Sequence, residues 1–129
     1  RELLQLADIA TPHIAGYSAD GKWTATKMSL ENLKEFFNLE IEEARYQEIP
    51  SPINPIIDLQ DIAPEQQLQQ AVWHTYNPAA ESNALKESPE KFYWLRSNYP
   101  LRREYPAYTV IDVAAPMSPL LLNLGFKVK

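Results

Sequence analysis

Apolar residues recur at intervals of one to five between residues 19 and 38, and this spacing predicts a long helix. The stripe consists of Trp23, Met28, Leu30, Leu33, Phe36 and Phe37. Ser18 suits the N-cap, and Asp20 would place negative charge in the first turn, where the helix dipole favours it. Residues 8–11 have the composition of a short strand, which Pro12 would end. Strand, polar loop and long helix together predict the unit of an α/β nucleotide-type domain.

Residues 40–55 break this periodicity with four glutamates, one arginine and three prolines. Proline interrupts helices and sheet ladders, and like charges repel each other, so this stretch is predicted to be an extended linker. It would separate residues 1–39, which hold the strand, loop and helix, from a C-terminal domain at residues 56–129.

The stretch 56–129 alternates strand-like runs with helical stripes. The predicted order is strand 56–59, a helix from Pro64, a helix from Ser88 and Pro89, strand 107–113, a short helix from Ser118, and strand 126–128. Gly125 suits the C-cap of the last helix. The pattern predicts a small α/β sandwich with about three strands. One face of so small a sheet needs cover, which a second copy of the chain could supply.

Composition narrows the function classes. The 129 residues include no cysteine, which excludes disulfides and cysteine metal sites. The net charge of −5 argues against nucleic-acid binding, because a polyanion requires clustered positive charge. The three glycines are too scattered to form a phosphate-binding loop. No apolar run approaches the roughly 20 residues of a membrane span, and no leader pattern is present, so a cytoplasmic location is expected. The chain opens at Arg1 within a leucine-rich segment, which favours a piece of a longer protein.

His13 is the candidate for proton transfer. An imidazole exchanges protons near neutral pH, and ligands of α/β folds sit where a strand ends. The alternative is a histidine that only hydrogen-bonds its own loop. Ser18 could pair with His13 as a nucleophile, but no acidic third member lies at a recognisable spacing. His74 is interpreted as a surface or partner-contact residue, and the two histidines share no metal-binding motif.

A cluster of basic residues near the end of the third predicted helix has two interpretations. Its members are Arg96, Arg102 and Arg103. Guanidinium groups could bind a phosphate or carboxylate, or they could lock the helix end or cross a dimer interface, and the structural role is favoured. Four aromatic side chains are interpreted as core or interface residues: Phe36, Phe37, Trp73 and Trp94.

Three segments carry a family resemblance. TPHIAGYSADGK, residues 11–22, resembles the segment around the catalytic histidine of D-2-hydroxyacid dehydrogenases. Within that superfamily it is similar to the erythronate-4-phosphate dehydrogenases. FYWLRSNYPLRREY, residues 92–105, and LLLNLGFKV, residues 120–128, are similar to the C-terminal pattern of the same family. The resemblance extends over most of the chain.

The resemblance implies an NAD-dependent enzyme that oxidises 4-phospho-D-erythronate to its 2-oxo acid on the route to pyridoxal phosphate. It assigns catalytic proton transfer to His13, a position near the cofactor to Gly16 and a substrate contact to Tyr17. Glycine lets a backbone approach a ligand closely, and a phenol can donate to a phosphate or carboxylate. It also implies a homodimer, with residues 56–129 as the dimerisation domain.

The chain departs from this family in one respect. The glycine-rich turn, the catalytic arginine and the glutamate that orients the histidine lie upstream of the histidine in the family, and these 129 residues do not contain them. We therefore expect the isolated chain to be inactive and to act as the C-terminal portion of a dehydrogenase. The alternative is a stand-alone α/β interaction or small-molecule-sensing module, in which the histidine loop has no catalytic role.

Overall fold

The computed structural model describes residues 2–41 and 48–129 as a mixture of helices and one small sheet. The elements are α1 (Glu2–Leu6), α2 (Ala19–Phe37), β1 (Ile56–Asp58), α3 (Pro64–Thr75), α4 (Pro78–Glu87), α5 (Phe92–Ser97), β2 (Thr109–Ile111), α6 (Ser118–Leu124) and β3 (Lys127–Val128). Short 3-10 turns lie at Pro89–Lys91 and Tyr105–Ala107. The predicted α/β class is confirmed. No helix in the described part of the chain is long and apolar enough to cross a membrane.

The three strands form a parallel sheet in the order β1-β2-β3. Val110 is the central position, since it pairs with Ile57 on one side and Val128 on the other. Parallel neighbours need crossover connections, which helices α3 to α5 provide between β1 and β2, and α6 between β2 and β3. The sequence thus predicted both the number of strands and their alternation with helices.

The core lies where α3 and α6 pack on this sheet. Its buried residues are Ile57, Leu59, Ala71, Tyr108, Val110, Leu121 and Phe126. One polar side chain is buried among them. The Gln67 amide of α3 donates to the carbonyls of Leu59, Ile62 and Asp112 at 3.3–3.4 Å, and its oxygen accepts from Ala114 N at 2.8 Å. Both polar atoms of the amide are hydrogen-bonded to the backbone, so the buried side chain links the segments that follow β1 and β2.

The C-terminal elements agree with the sequence prediction at most boundaries. Pro64 begins α3, and Gly125, at φ 98°, caps α6 in the left-handed conformation that favours glycine. Strand β2 is shorter than predicted, because Ala107 belongs to a 3-10 turn and Asp112 turns the backbone to φ 56°.

Helix α4 was not predicted. Asn77 Oδ1 accepts from Ala79 N at 3.0 Å and Pro78 occupies the first helical turn, so the pair that ends α3 also starts a new helix. Ser88 is then the C-cap of α4 and makes no side-chain cap bond to the turn that follows. The helix predicted from Ser88 begins instead as a 3-10 turn that continues into α5.

The strand predicted at residues 8–11 is absent, which corrects the predicted strand, loop and helix unit. The backbone there is irregular. Ala10 N donates to Ser82 Oγ at 3.1 Å, and Lys86 Nζ donates to the carbonyls of Ala7 and Asp8. Side chains of α4 therefore satisfy groups that a neighbouring strand would otherwise pair, and within the described residues no strand lies beside this segment.

Helix α2 is confirmed with both of its caps. Ser18 Oγ accepts from Gly21 N at 2.9 Å, and Asn38, at φ 50°, ends the helix. Most of the predicted apolar stripe, however, is exposed, and α2 has no fully buried residue. Four aromatic side chains interpreted as core or interface are also exposed, so the core interpretation is wrong: Phe36, Phe37, Trp73 and Trp94. Residues 42–47 of the predicted linker lie outside the described residues, and so does Arg1.

Two neighbouring leucines of α6 should differ sharply in their contribution to the free energy of unfolding. Leu121 is fully buried, whereas Leu122 is 54% exposed. Leu121→Ala should lower the free energy of unfolding by about 2–5 kcal/mol, because it leaves a cavity, and Leu122→Ala by about 0.5 kcal/mol. Urea titration followed by circular dichroism measures both changes. Equal losses would contradict the position of the core.

Candidate functional site

The loop before α2 presents His13 to solvent between two buried residues. Pro12 and Ile14 are fully buried, whereas the His13 side chain is exposed. His13 N donates to Thr11 O at 2.8 Å, and Tyr17 N donates to Ile14 O at 3.0 Å, so two consecutive turns shape the loop. The apolar neighbours fix the loop against the protein and leave the imidazole accessible.

The backbone of His13 is left-handed, with φ 62°. Non-glycine residues adopt this region uncommonly, although histidine is among those that tolerate it. Such conformations persist where the surroundings enforce them, and they concentrate at functional sites. The strand after which His13 was predicted to lie is absent, but the left-handed conformation supports a functional interpretation of the loop by itself.

Ser18 closes the loop as a buried helix cap and not as a nucleophile. Its side chain is 1% exposed, and its hydroxyl accepts from Gly21 N. A Cβ at position 21 would lie 2.7 Å from Ser18 Oγ, so any other residue there would shift the Ser18 side chain from its present capping position. Gly16 differs, because a Cβ on it would meet nothing within 4 Å, and its outer face is open.

Tyr17 lies under two cationic side chains. Lys22 Nζ is 3.9 Å from the centroid of the Tyr17 ring, and Arg96 Cζ is 5.5 Å from it. The Tyr99 ring meets the same ring edge-on at 6.1 Å. This arrangement stabilises the cations over the ring face and gives the surface beside His13 a positive character. The contribution of Lys22 was not predicted, although its position in the first turn of α2 follows directly from the Ser18 cap.

The adjacent residues Arg102 and Arg103 bind different parts of this region. Arg102 Nη2 donates to Ala15 O at 2.9 Å, and its guanidinium lies 4.6 Å over the Tyr76 ring. Arg103 donates through Nε and Nη2 to the two carboxylate oxygens of Asp20 at 2.9 and 3.0 Å. The structural interpretation of these two side chains therefore agrees with their contacts, but the partners belong to the His13 loop and α2.

Asp20 is the anionic centre of these contacts. It also accepts from Glu104 N at 2.8 Å. Burial acts to raise the pKa of Asp20, but the hydrogen bonds from Arg103 and Glu104 and the charge of Arg103 outweigh it and hold that pKa below its ordinary value of 3.8. The carboxylate is thus charged at neutral pH and fixes the start of α2.

Three phenols near Arg102 keep their protons more strongly than usual. Burial raises the pKa of Tyr76, Tyr99 and Tyr108, and positive charge offsets only part of the effect: that of Arg102 for Tyr76 and Tyr99, and that of Arg103 and then Arg102 for Tyr108. These side chains remain neutral hydroxyl groups, so they add no negative charge beside the His13 loop.

His74 is an exposed residue near the end of α3. Its Nε2 lies 2.9 Å from Asn54 O, a hydrogen bond in which Nε2–H donates, and its ring meets Tyr108 edge-on at 6.0 Å. The surface interpretation of His74 agrees with these contacts. Across residues 2–41 and 48–129, no three side chains of the metal-binding types form a cluster.

Comparison with protein-family models assigns the second part of the chain. Residues 49–125 match a family described as "Domain of unknown function (DUF3410)". The chain belongs to the DUF3410 family. The DUF3410 region carries Arg96, Arg102 and Arg103, whereas the His13 loop precedes it in sequence. The candidate site is therefore assembled from both parts.

Curated relatives cover nearly the whole chain. It is 47% identical over 114 residues to an erythronate-4-phosphate dehydrogenase of Bacteroides thetaiotaomicron, covering 88% of this chain and 30% of that protein. For the relative of the same name from Porphyromonas gingivalis, identity is 41% over 96% of this chain and 33% of the relative. For the relative of the same name from Escherichia fergusonii, identity is 34%, and the match covers 97% of this chain and 34% of the relative. The chain spans about a third of the length of these relatives.

The Asp20 contacts predict a pH-dependent stability. Asp20→Asn should lower the free energy of unfolding at pH 7 by about 1–2 kcal/mol, because it removes charge-assisted hydrogen bonds. Since the folded pKa of Asp20 is depressed, the stabilisation is complete above pH 3.8 and is lost as the pH falls through the folded pKa. Urea titrations of both proteins between pH 3 and 7 measure this difference.

Glu31→Gln is the matched control on α2. Glu31 faces Lys27 at 3.6 Å with both side chains more than half exposed, so its removal should cost about 0.3 kcal/mol. An Asp20→Asn effect as small as this, or one that does not depend on pH, would contradict the proposed role of the Arg103 contacts.

Proposed function

We propose that this chain is the C-terminal portion of an NAD-dependent erythronate-4-phosphate dehydrogenase and contributes the acid/base residue His13. The named relatives support the activity. The observation that carries the proposal within the structure is the exposed His13 imidazole on a left-handed backbone, held between buried Pro12 and Ile14. The stand-alone sensing or interaction module is not favoured, because relatives with a dehydrogenase name match nearly the whole chain.

The role of His13 is to handle the hydroxyl proton. Oxidation of a 2-hydroxy acid removes a hydride from C2 and a proton from its hydroxyl, leaving a 2-oxo acid. NAD supplies the hydride acceptor when bound. A ring nitrogen of neutral His13 takes the hydroxyl proton, and the imidazolium releases it to solvent afterwards. Its exposed position gives the imidazole access to both substrate and water.

Gly16 and Tyr17 are proposed to contact cofactor and substrate. The open face of Gly16 leaves room for a ligand to approach the backbone, which fits a cofactor contact. The three glycines of the chain do not form a dinucleotide cradle, so Gly16 offers one contact and not a complete site. Tyr17, with Lys22 and Arg96 over its ring, presents a hydroxyl and positive charge to an anionic sugar acid.

The isolated chain is expected to be inactive. Within the described residues no hydrogen bond to the His13 ring is found, so nothing selects its tautomer or orientation. A catalytic imidazole commonly depends on such a partner. The relatives are about three times as long as this chain, and a cradle and an orienting carboxylate would belong to the part of them that it does not span.

A chimera tests this assignment. The matching segment of the Bacteroides thetaiotaomicron relative is replaced by this chain, and NADH formation from 4-phospho-D-erythronate is followed by absorbance. The chimera should be active, and His13→Gln should lower kcat by about 10²- to 10⁴-fold, because the general base is lost. The KM for NAD should change little.

His74→Gln in the same chimera is the matched control and should leave kcat unchanged, since His74 bonds only to Asn54 O on the surface. A folded, NAD-binding chimera without activity would refute the proposed function. Full activity of His13→Gln would remove His13 from the reaction.

We further propose that the protein is a cytoplasmic homodimer in which residues 56–129 pair two subunits and residues 40–55 link them to residues 1–39. Several large apolar side chains at and near the sheet and on α6 are exposed: Ile53, Ile56, Leu120, Leu122 and Leu124. Exposed apolar surface of this kind favours association. A second copy is the occupant that the small parallel sheet supports, since within the described residues no further strand pairs with β1 or β3.

Light scattering of the 129-residue chain should report twice its mass of 14.8 kDa. Dilution should convert dimer to monomer at a defined concentration, because association is a mass-action equilibrium. A monomer at all concentrations up to 1 mM, about the upper limit of a useful affinity, would refute pairing through this chain.

A further inference from the structure

Two groups of contacts from the DUF3410 region reach the backbone on either side of the His13 loop. On the upstream side, Ser82 Oγ of α4 accepts from Ala10 N at 3.1 Å. Ser82 is 2% exposed, so the acceptor of this part-buried hydrogen bond has a fixed position on the helix. Lys86, one turn later, donates to the carbonyls of Ala7 and Asp8. We refer to these contacts as the upstream clamp.

Arg102 forms the downstream clamp. Its side chain donates to Ala15 O at 2.9 Å, and its own carbonyl accepts from Ala19 N at 2.9 Å, where it forms a parallel bridge with Ser18. The guanidinium lies over the Tyr76 ring at the end of α3, which restricts its orientation. The loop is thus held on its upstream side by α4 and on its downstream side by Arg102, which the end of α3 orients.

The clamps explain how the strained conformation of His13 persists. A left-handed non-glycine residue costs roughly 1–3 kcal/mol and survives only where its surroundings over-determine it. Ala10 and Ala15 lie three and two residues from His13, and both are held through backbone atoms. Contacts to backbone atoms fix the path of the chain without occupying the imidazole, which remains free to meet a substrate.

We propose that the DUF3410 domain, apart from pairing subunits, positions the proton-transfer loop, with Ser82 and Arg102 as its positioning residues. The expected effect on turnover rests on the proposed function. The coupling itself, by which Ser82 and Arg102 restrain the loop, does not. Displacing a catalytic group by about 1 Å can cost about 10²-fold in rate, so a loose loop would lower turnover without removing any reacting group. The DUF3410 domain would thus help to hold the candidate site in place.

Amide hydrogen exchange on the 129-residue chain tests the coupling. Ser82→Ala should speed exchange at Ala10, and Arg102→Ala at Tyr17 and Ala19, by about fivefold to tenfold, the expected loss for one hydrogen bond. Exchange at Leu59 and Thr109, whose amides bond to Ile111 O and Pro55 O, should not change. Ser29→Ala, which removes a local bond to Ala25 O, is the matched control.

Kinetics of the chimera separate positioning from simple stabilisation. Arg102→Ala should lower kcat about 10- to 100-fold with little change in the KM for NAD, and Arg102→Lys, which keeps a donor, should restore part of it. In a His13→Gln background the same substitution should cost less than about twofold, because the group that it positions is gone.

Unchanged amide exchange in the loop of both Ser82→Ala and Arg102→Ala would overturn the coupling. Faster loop exchange with unchanged kcat, or losses from Arg102→Ala and His13→Gln that add in full, would overturn the positioning role. If Ser82→Ala also speeds exchange at Leu59, that variant has loosened the whole fold. The test then rests on the kcat of Arg102→Lys, which should lie above that of Arg102→Ala if Arg102 positions the loop; equal values would overturn the positioning role. Failure of the proposed function is distinct, since His13→Gln would leave kcat unchanged while the exchange result still stands.

Discussion

The arrangement of the candidate site depends on the ion pair between Arg103 and Asp20. Both guanidinium–carboxylate hydrogen bonds are short, and the side chains are 12% and 27% exposed, so solvent screens them only in part. Arg103 also donates to the carbonyls of Ile49 and Pro50. One side chain therefore joins the start of α2 to two segments of the DUF3410 region. The direction of α2 fixes the Ser18 cap and, through it, the end of the His13 loop.

The His13 loop is held both by the burial of two apolar side chains and by hydrogen bonds to its backbone. Pro12 and Ile14 are buried on either side of an exposed histidine, and Ser82 and Arg102 bind main-chain atoms beyond them. Such a design leaves the imidazole and the open face of Gly16 uncovered while the loop keeps one shape. A proton-transfer group needs this combination of a fixed origin and a free ring.

The exposed surface of α2 contrasts with this well-anchored loop. The helix has caps at both ends and an apolar stripe, yet none of its residues is buried. Amphipathic helices usually bury such a stripe, and Phe36 is 81% exposed. The tertiary contacts of α2 are concentrated at its N-terminal end, where Asp20 binds Arg103 and Ala19 N donates to Arg102 O.

Local chemistry allowed the sequence to predict α2 with its Ser18 cap, the Pro64 start of α3, the Gly125 cap and three strands, because each depends on residues close together in the chain. His13 was a candidate from its position in the chain, whereas Gly16 and Tyr17 became candidates only through the family resemblance. The absent strand at residues 8–11, the exposed stripe and the partners of Arg102 and Arg103 were decided by the tertiary structure. Strand pairing, burial and long-range ion pairs depend on which distant segments meet, and periodicity along one segment carries no information about that.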